Sequence, residues 1–144
     1  MALGTFGAIM GFAVQMLQQT ETFYKTMVQK ARDPVLREAF QVLSDEDGKN
    51  RSLMERARRE NVTEMILEPI AGLDQSDYEI EIKAIDQSND ADLLETALIL
   101  EERAYKFFSE VSGKVPLPEV KRIFRKAAQK KEKSLAKLKT IVIE

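Results

Sequence analysis

Five polar residues stand where a helical protein ordinarily places apolar ones: Asp47, Asn50, Glu101, Lys131 and Ser134. Each continues a stripe of apolar residues at three- and four-residue spacing, so each should face the interior of a helix assembly. Two carboxylates, an amide and a hydroxyl are oxygen donors suited to a hard cation such as Mg²⁺ or Mn²⁺. Lys131 points to different chemistry, because an ammonium competes with a metal for the same carboxylates. Isolated charges in an interior are costly, whereas a cluster lets them satisfy one another. The bland alternative has each residue rotated to a helix edge and solvated. The chain of 144 residues has no histidine and no cysteine. That removes disulfides, Fe–S clusters, the usual zinc, copper and haem ligands, and nucleophile pairs built on histidine.

Four helices must position these residues. The first should follow the N-cap candidate Thr5 and run to about Ala31, on the stripe Ile9 or Met10, Ala13, Leu17, Thr20, Tyr24 and Met27. Asp33-Pro34 breaks it and opens the second, which follows Leu36, Ala39 or Phe40, Leu43, Asp47, Asn50 and Leu53 or Met54 to near Glu60. The third starts near Asn89 or Asp90 and carries Leu94, Ala97, Glu101, Ala104, Phe108 and Val111 as far as Gly113. Pro116 and Pro118 lead into the fourth, with Val120, Phe124, Ala127, Lys131, Ser134 or Leu135, and Leu138. Residues 61–89 form a long connection, able to cross a bundle and start a parallel helix. Within it Tyr78, Ile80 and Ile82 alternate with charged residues as a strand does, while Ser76 and Glu79 form a capping box that suits a short helix.

The two halves repeat one frame. Ala13 matches Ala97 (97 − 13 = 84), and the same offset relates Phe23 to Phe107, Lys30 to Lys114, Pro34 to Pro118, Phe40 to Phe124 and Lys49 to Lys133. It also relates Asp47 to Lys131 and Asn50 to Ser134. A helix pair that cannot bury its apolar face alone, present twice, implies an all-α four-helix bundle with a long crossover. The expected division is one domain over 1–144: a helix pair at 6–60, the crossover at 61–89 and a second pair at 90–140.

This frame resembles rubrerythrin and the wider ferritin-like di-iron family, over roughly residues 5–140. In that family each repeat has an Ala-x-x-x-Glu segment and a Phe-Tyr pair, then a helix with Glu-x-x-His. Here the first segment is Ala13-Val14-Gln15-Met16-Leu17 followed by Phe23-Tyr24, and the second is Ala97-Leu98-Ile99-Leu100-Glu101 followed by Phe107-Phe108. The Glu-x-x-His places fall on Asp47-x-x-Asn50 and Lys131-x-x-Ser134, and Leu43-Ser44-Asp45-Glu46-Asp47 is similar to the family's second helix. The resemblance implies a ferritin-like fold with a degenerate metal site. Glu101 alone keeps a family Glu, Asp47 is a shortened carboxylate, Leu17 and Lys131 replace the other two, and Asn50 and Ser134 replace both His ligands. It implies a polar plug in place of iron, with Lys131 ion-paired to Glu101, Asp47 or both and with Asn50 and Ser134 supplying hydrogen bonds.

The leading functional expectation is a non-catalytic structural or interaction module that lacks the family's oxidase or peroxidase activity and needs no cofactor. An alternative is a metal-binding oxidoreductase of the rubrerythrin type with a reduced oxygen-ligand site, holding one divalent Fe, Mn or Mg through Asp47 and Glu101. A further alternative is anion or nucleic-acid binding through basic helix 4. From Lys114 to Lys139 there are 10 bases and two acids, and from Glu60 to Glu102 there are 13 acids and one base. Without aromatic side chains among the lysines to stack on bases, a nucleic-acid partner is disfavoured, and the charges are expected to balance within the fold. No Lys or Arg precedes the apolar N-terminal run, as a signal peptide requires, and Gln15, Gln18 and Gln19 interrupt it too early for a membrane span. A cytoplasmic protein is expected. Gly4, Gly7 and Gly11 fall in the uncharged start of helix 1, where glycine costs about 1 kcal/mol each relative to alanine. A homodimer interface there is the expected reason, with close packing inside one bundle as its alternative.

Overall fold

The computed structural model describes residues 3–65, 70, 72–80 and 89–143, and the side chains among them outside 62–65. Four helices account for most of these residues: α1 (Phe6–Lys30), α2 (Pro34–Met65), α3 (Asp90–Ser112) and α4 (Pro118–Leu138). The chain forms an all-α four-helix bundle. α1 packs along α2 and α3 along α4, and α2–α4 and α1–α3 contacts join the two pairs.

The local signals set the helix ends. Thr5 Oγ1 accepts from Ala8 N at 3.1 Å and starts α1. Asp33 Oδ1 accepts from Val35 N at 2.9 Å and Leu36 N at 3.0 Å, with Pro34 in the first turn where a missing N–H costs nothing. Asn89 Oδ1 accepts from Asp92 N at 2.9 Å and opens α3. The Asp90 carboxylate also takes the backbone N–H groups of Arg32 at 3.0 Å and Asp33 at 2.8 Å. The tight α1–α2 turn is thereby tied to the start of the second pair.

The expected boundaries hold within a residue or two, except that α2 runs on to Met65, past the expected end near Glu60. In the crossover the short-helix reading holds in place and fails in detail. A 3₁₀ turn spans Gln75–Asp77, and its cap is Asp74, whose Oδ1 accepts from Ser76 N at 2.9 Å. Ser76 is thus the capped residue, and Glu79 instead accepts from the Gln75 amide at 3.2 Å. Tyr78 leaves the alternating pattern by burying its ring edge-on against Phe107, 5.1 Å between centroids, with its hydroxyl donating to Glu110. Ile82 lies outside the described residues. Near α1, Gly4 precedes the helix cap. Among the described residues a Cβ on Gly7 would meet nothing within 4 Å, and one on Gly11 would meet Arg58 Nη1 at 4.0 Å, so the described residues do not pack closely on these two glycines.

The core is in two parts. One apolar cluster gathers Phe6, Ile9, Leu17, Met54, Phe107 and Phe124 with their neighbours. The other gathers Phe23, Tyr24, Phe40, Leu43, Leu100 and Leu138. Along every helix the polar positions fall where one cluster gives way to the other. Leu17 is in the first cluster and Phe23 in the second, with Thr20 between them. On α2, Asp47 and Asn50 likewise separate Leu43 from Met54. The bundle is two apolar blocks with a polar layer across the middle.

Candidate functional site: a buried polar layer

The layer takes at least one side chain from each helix. Asp47 comes from α2, Glu101 from α3 and Lys131 from α4, and each is no more than 1% exposed. The Lys131 ammonium donates to Asp47 Oδ1 at 2.5 Å and to Glu101 Oε2 and Oε1 at 2.9 and 3.2 Å. Its three donors therefore meet three carboxylate oxygens on two helices. α1 completes the ring. Thr20 Oγ1 donates to Asp47 Oδ2 at 2.7 Å, and Tyr24 OH donates to Glu101 Oε2 at 2.9 Å. All four carboxylate oxygens thus accept at least one hydrogen bond, which is the condition for burying charge at tolerable cost.

Of the six residues read from the sequence, three converge. Leu17 is fully buried but belongs to the apolar block beside the layer. Ser134 does not join the cluster: its hydroxyl donates back to the Lys130 carbonyl at 3.0 Å, the usual local alternative for a serine within a helix. Its other contact is Glu46 Oε2 at 3.5 Å, on the outer side of the layer. Asn50 is buried, yet among the described residues its amide nitrogen has no hydrogen-bond partner, and neither has the buried Ser44 hydroxyl on α2. The hydrogen bonds expected from Asn50 and Ser134 come instead from Thr20 and Tyr24. A signal for these two was present in the repeat. The offset that relates Asp47 to Lys131 relates Thr20 to Ala104 and Tyr24 to Phe108, so both hydroxyls occur in the first copy only.

Electrostatics follow from burial. Glu101 is pushed up to about 7, chiefly because burial penalises its charged form. The Lys131 ammonium opposes that shift and the Asp47 charge adds to it, while the hydrogen bonds from Lys131 and Tyr24 also favour the carboxylate. For Lys131, burial acts to lower the pKa, but the carboxylates of Asp47 and then Glu101 outweigh it and hold the ammonium above its ordinary range. Burial, then the Glu101 and Asp47 charges, keep the Tyr24 hydroxyl protonated and raise it well above the usual tyrosine value. With both acids ionised the three charged side chains sum to −1. A Glu101 that titrates near neutrality removes that residual charge.

This donor set does not fit a di-iron centre. Two adjacent metal cations need several carboxylates around them, and imidazoles complete the family's shells. Among the described residues no group of three or more His, Cys, Asp or Glu side chains is placed to hold a metal ion. The Lys131 ammonium sits between the two carboxylates, 2.5 Å from Asp47 Oδ1 and 2.9 Å from Glu101 Oε2. No step of metal chemistry can be built on these residues as they stand. Among the described residues no helix is long and apolar enough to cross a membrane. No protein-family model, no curated protein and no solved structure matches the chain.

Proposed function

We propose that this chain is a rubrerythrin-like, ferritin-superfamily bundle in which an ion-paired layer replaces a di-iron site, and that it works as a non-catalytic structural or interaction module. The observation that carries this reading is the Lys131 ammonium, buried between Asp47 and Glu101 at 2.5 and 2.9 Å. A cation fixed to the protein holds the carboxylates together as a metal would, with no oxidation state to change. The Ala-x-x-x-Leu17 and Ala-x-x-x-Glu101 segments, the aromatic pairs and the paired helices around this layer support the family reading. A homodimer through the start of α1 is consistent with Gly7 and Gly11, since among the described residues no atom lies within 4 Å of a Cβ placed on Gly7.

Elemental analysis of protein purified from iron- and manganese-supplemented cells, together with ferroxidase and peroxidase assays, tests the proposal. The expected result is no stoichiometric metal and no activity. Stoichiometric iron lost on Glu101→Ala would overturn it in favour of an oxidoreductase that displaces Lys131 from the layer.

A further inference from the structure

The outer face of α4 carries a charge pattern found nowhere else among the described helices. Arg122, Lys126, Lys130, Lys133 and Lys137 follow one another at spacings of four, four, three and four, and all are exposed. At the helical period they lie in a single stripe opposite Val120, Phe124, Lys131 and Leu138, which face the core. The stripe is about 22 Å long at the helical rise. Arg125 flanks it.

Among the described residues none of these cations is in an ion pair. In the acidic 60–102 stretch, residues 81–88 and the side chains of 62–69 lie outside the described residues, and with them much of the expected charge balance against α4. Elsewhere the same spacing is used to pair opposite charges: Glu21 with Lys25 at 3.6 Å, Arg51 with Glu55 at 3.2 Å, Arg56 with Glu60 at 2.9 Å. In the α4 stripe every step joins two like charges, and each such neighbour destabilises a helix by about 0.2–0.5 kcal/mol. In this row of five like charges an external anion relieves a built-in repulsion.

The chemistry of the row narrows the partner. No exposed aromatic or large aliphatic side chain lies on it, since the large exposed hydrophobics are Val35, Val42, Leu53, Ile99 and Val142. The row itself carries no apolar anchor of the kind a protein interface or a membrane-surface helix uses. There is also no ring to stack on unpaired bases. What remains is Coulombic contact with a dense, regular row of anions, which is what a duplex phosphate backbone offers, at one charge per about 1.7 Å.

We infer that the Arg122–Lys137 face of α4 binds the phosphate backbone of double-stranded nucleic acid without reading sequence. This inference stands apart from the polar layer, which lies on the opposite side of the same helix. Five phosphate contacts give a plot of log K against log salt a slope of about −4.5. Affinity should then fall by roughly 10²–10³ between 50 and 200 mM salt.

The test is fluorescence anisotropy of a labelled duplex DNA titrated with the protein over a salt series. The expected result is binding at low salt with that slope, competed equally by an unrelated duplex. Lys126→Gln with Lys130→Gln and Lys133→Gln should lower the slope by about three and weaken binding, while circular dichroism and the unfolding midpoint stay unchanged or improve. These side chains are exposed, so the variant tests the surface and not the fold. No binding at low salt, an unchanged slope in the triple variant, or binding to anionic phospholipid vesicles in preference to the duplex would each overturn the inference.

Discussion

The two helix pairs share one apolar frame and divide the charges of the buried layer unequally. The α1–α2 pair contributes Leu17 and Asp47, and the equivalent places in α3–α4 hold Glu101 and Lys131. The α1 hydroxyls of Thr20 and Tyr24 each reach a carboxylate, and their counterparts Ala104 and Phe108 carry nothing to donate. Tyr24 on α1 donates to Glu101 on α3, and the mirror contact would run from residue 108 on α3 to residue 17 on α1. In that mirror place both partners are apolar: a leucine where the carboxylate would be, and a phenylalanine without the hydroxyl. Acceptor and donor are absent together. A repeated backbone supplies equivalent positions, but nothing in it requires equivalent chemistry, and here one diagonal of the layer is polar while the other is packed.

That asymmetry can be broken most severely at Lys131. Lys131→Ala removes the ammonium that pairs with both acids and leaves Asp47 and Glu101 buried against each other, at a cost of about 3–5 kcal/mol. Replacing the charged set with Lys131→Met, Asp47→Leu and Glu101→Leu removes the charges and leaves the Tyr24 hydroxyl without its acceptor. The triple variant should be far more stable than Lys131→Ala, because no desolvated charge is left unpaired. Urea unfolding of the parent, the single and the triple variant orders the three. A Lys131→Ala protein as stable as the parent would show that the layer is hydrated and that its charges do not depend on one another.

Much of this layer was legible before any coordinates. Asp47, Glu101 and Lys131 stood out because each interrupts a strong apolar period, and helix periodicity alone brings such interruptions to one side. The helix ends were equally clear, since Thr5, Asp33-Pro34, Asn89 and Gly113 act through their nearest neighbours in the chain. Asn50 and Ser134 misled because burial does not fix which partner a polar atom finds. A serine in mid-helix has its own i−4 carbonyl within reach, and Lys130 supplies it. Thr20 and Tyr24 were missed as members because either residue is at home on an apolar stripe. Only a comparison of Thr20 with Ala104 and Tyr24 with Phe108 separates them from ordinary core. The crossover was the least legible, because its turn depends on Asp74 reaching Ser76 and on Tyr78 finding Phe107, and the second of these is a tertiary contact.

A second way to sharpen the contrast is pH, because only the polar diagonal titrates. Glu101 has a folded pKa of about 7 against an ordinary value of 4.5, so it is raised on folding. Its contribution is fully present below about 4.5 and is lost as pH rises through about 7. Lys131 is also raised, and its contribution is lost only above its ordinary value of 10.5, outside this window. Stability carried by Glu101 should therefore fall between about pH 4.5 and 7, by of order 3 kcal/mol at most. Glu101→Gln, which keeps the shape and removes the titration, should flatten that part of the profile. Parent and variant profiles that run parallel from pH 4 to 8 would show that folding does not raise Glu101.

The smallest effect is the most diagnostic of the repeat. Tyr24→Phe deletes one hydroxyl and makes position 24 match Phe108. Glu101 keeps its contacts with Lys131 at 2.9 and 3.2 Å, so the cost should be about 1–2 kcal/mol, below that of removing the ammonium. The reverse change tests the apolar diagonal. Phe108 is fully buried, and Phe108→Tyr places a hydroxyl toward the side occupied by Leu17, where no acceptor waits. It should cost about 1–3 kcal/mol as an unsatisfied buried donor. Adding Leu17→Gln supplies an acceptor at the place equivalent to Glu101. If the repeat geometry extends to side chains, the double variant should recover part of that loss, with a favourable coupling of about 1 kcal/mol in a double-mutant cycle. Zero coupling would mean that the two diagonals are equivalent in backbone only, and that the contact between Tyr24 and Glu101 depends on Lys131 holding the carboxylate in place.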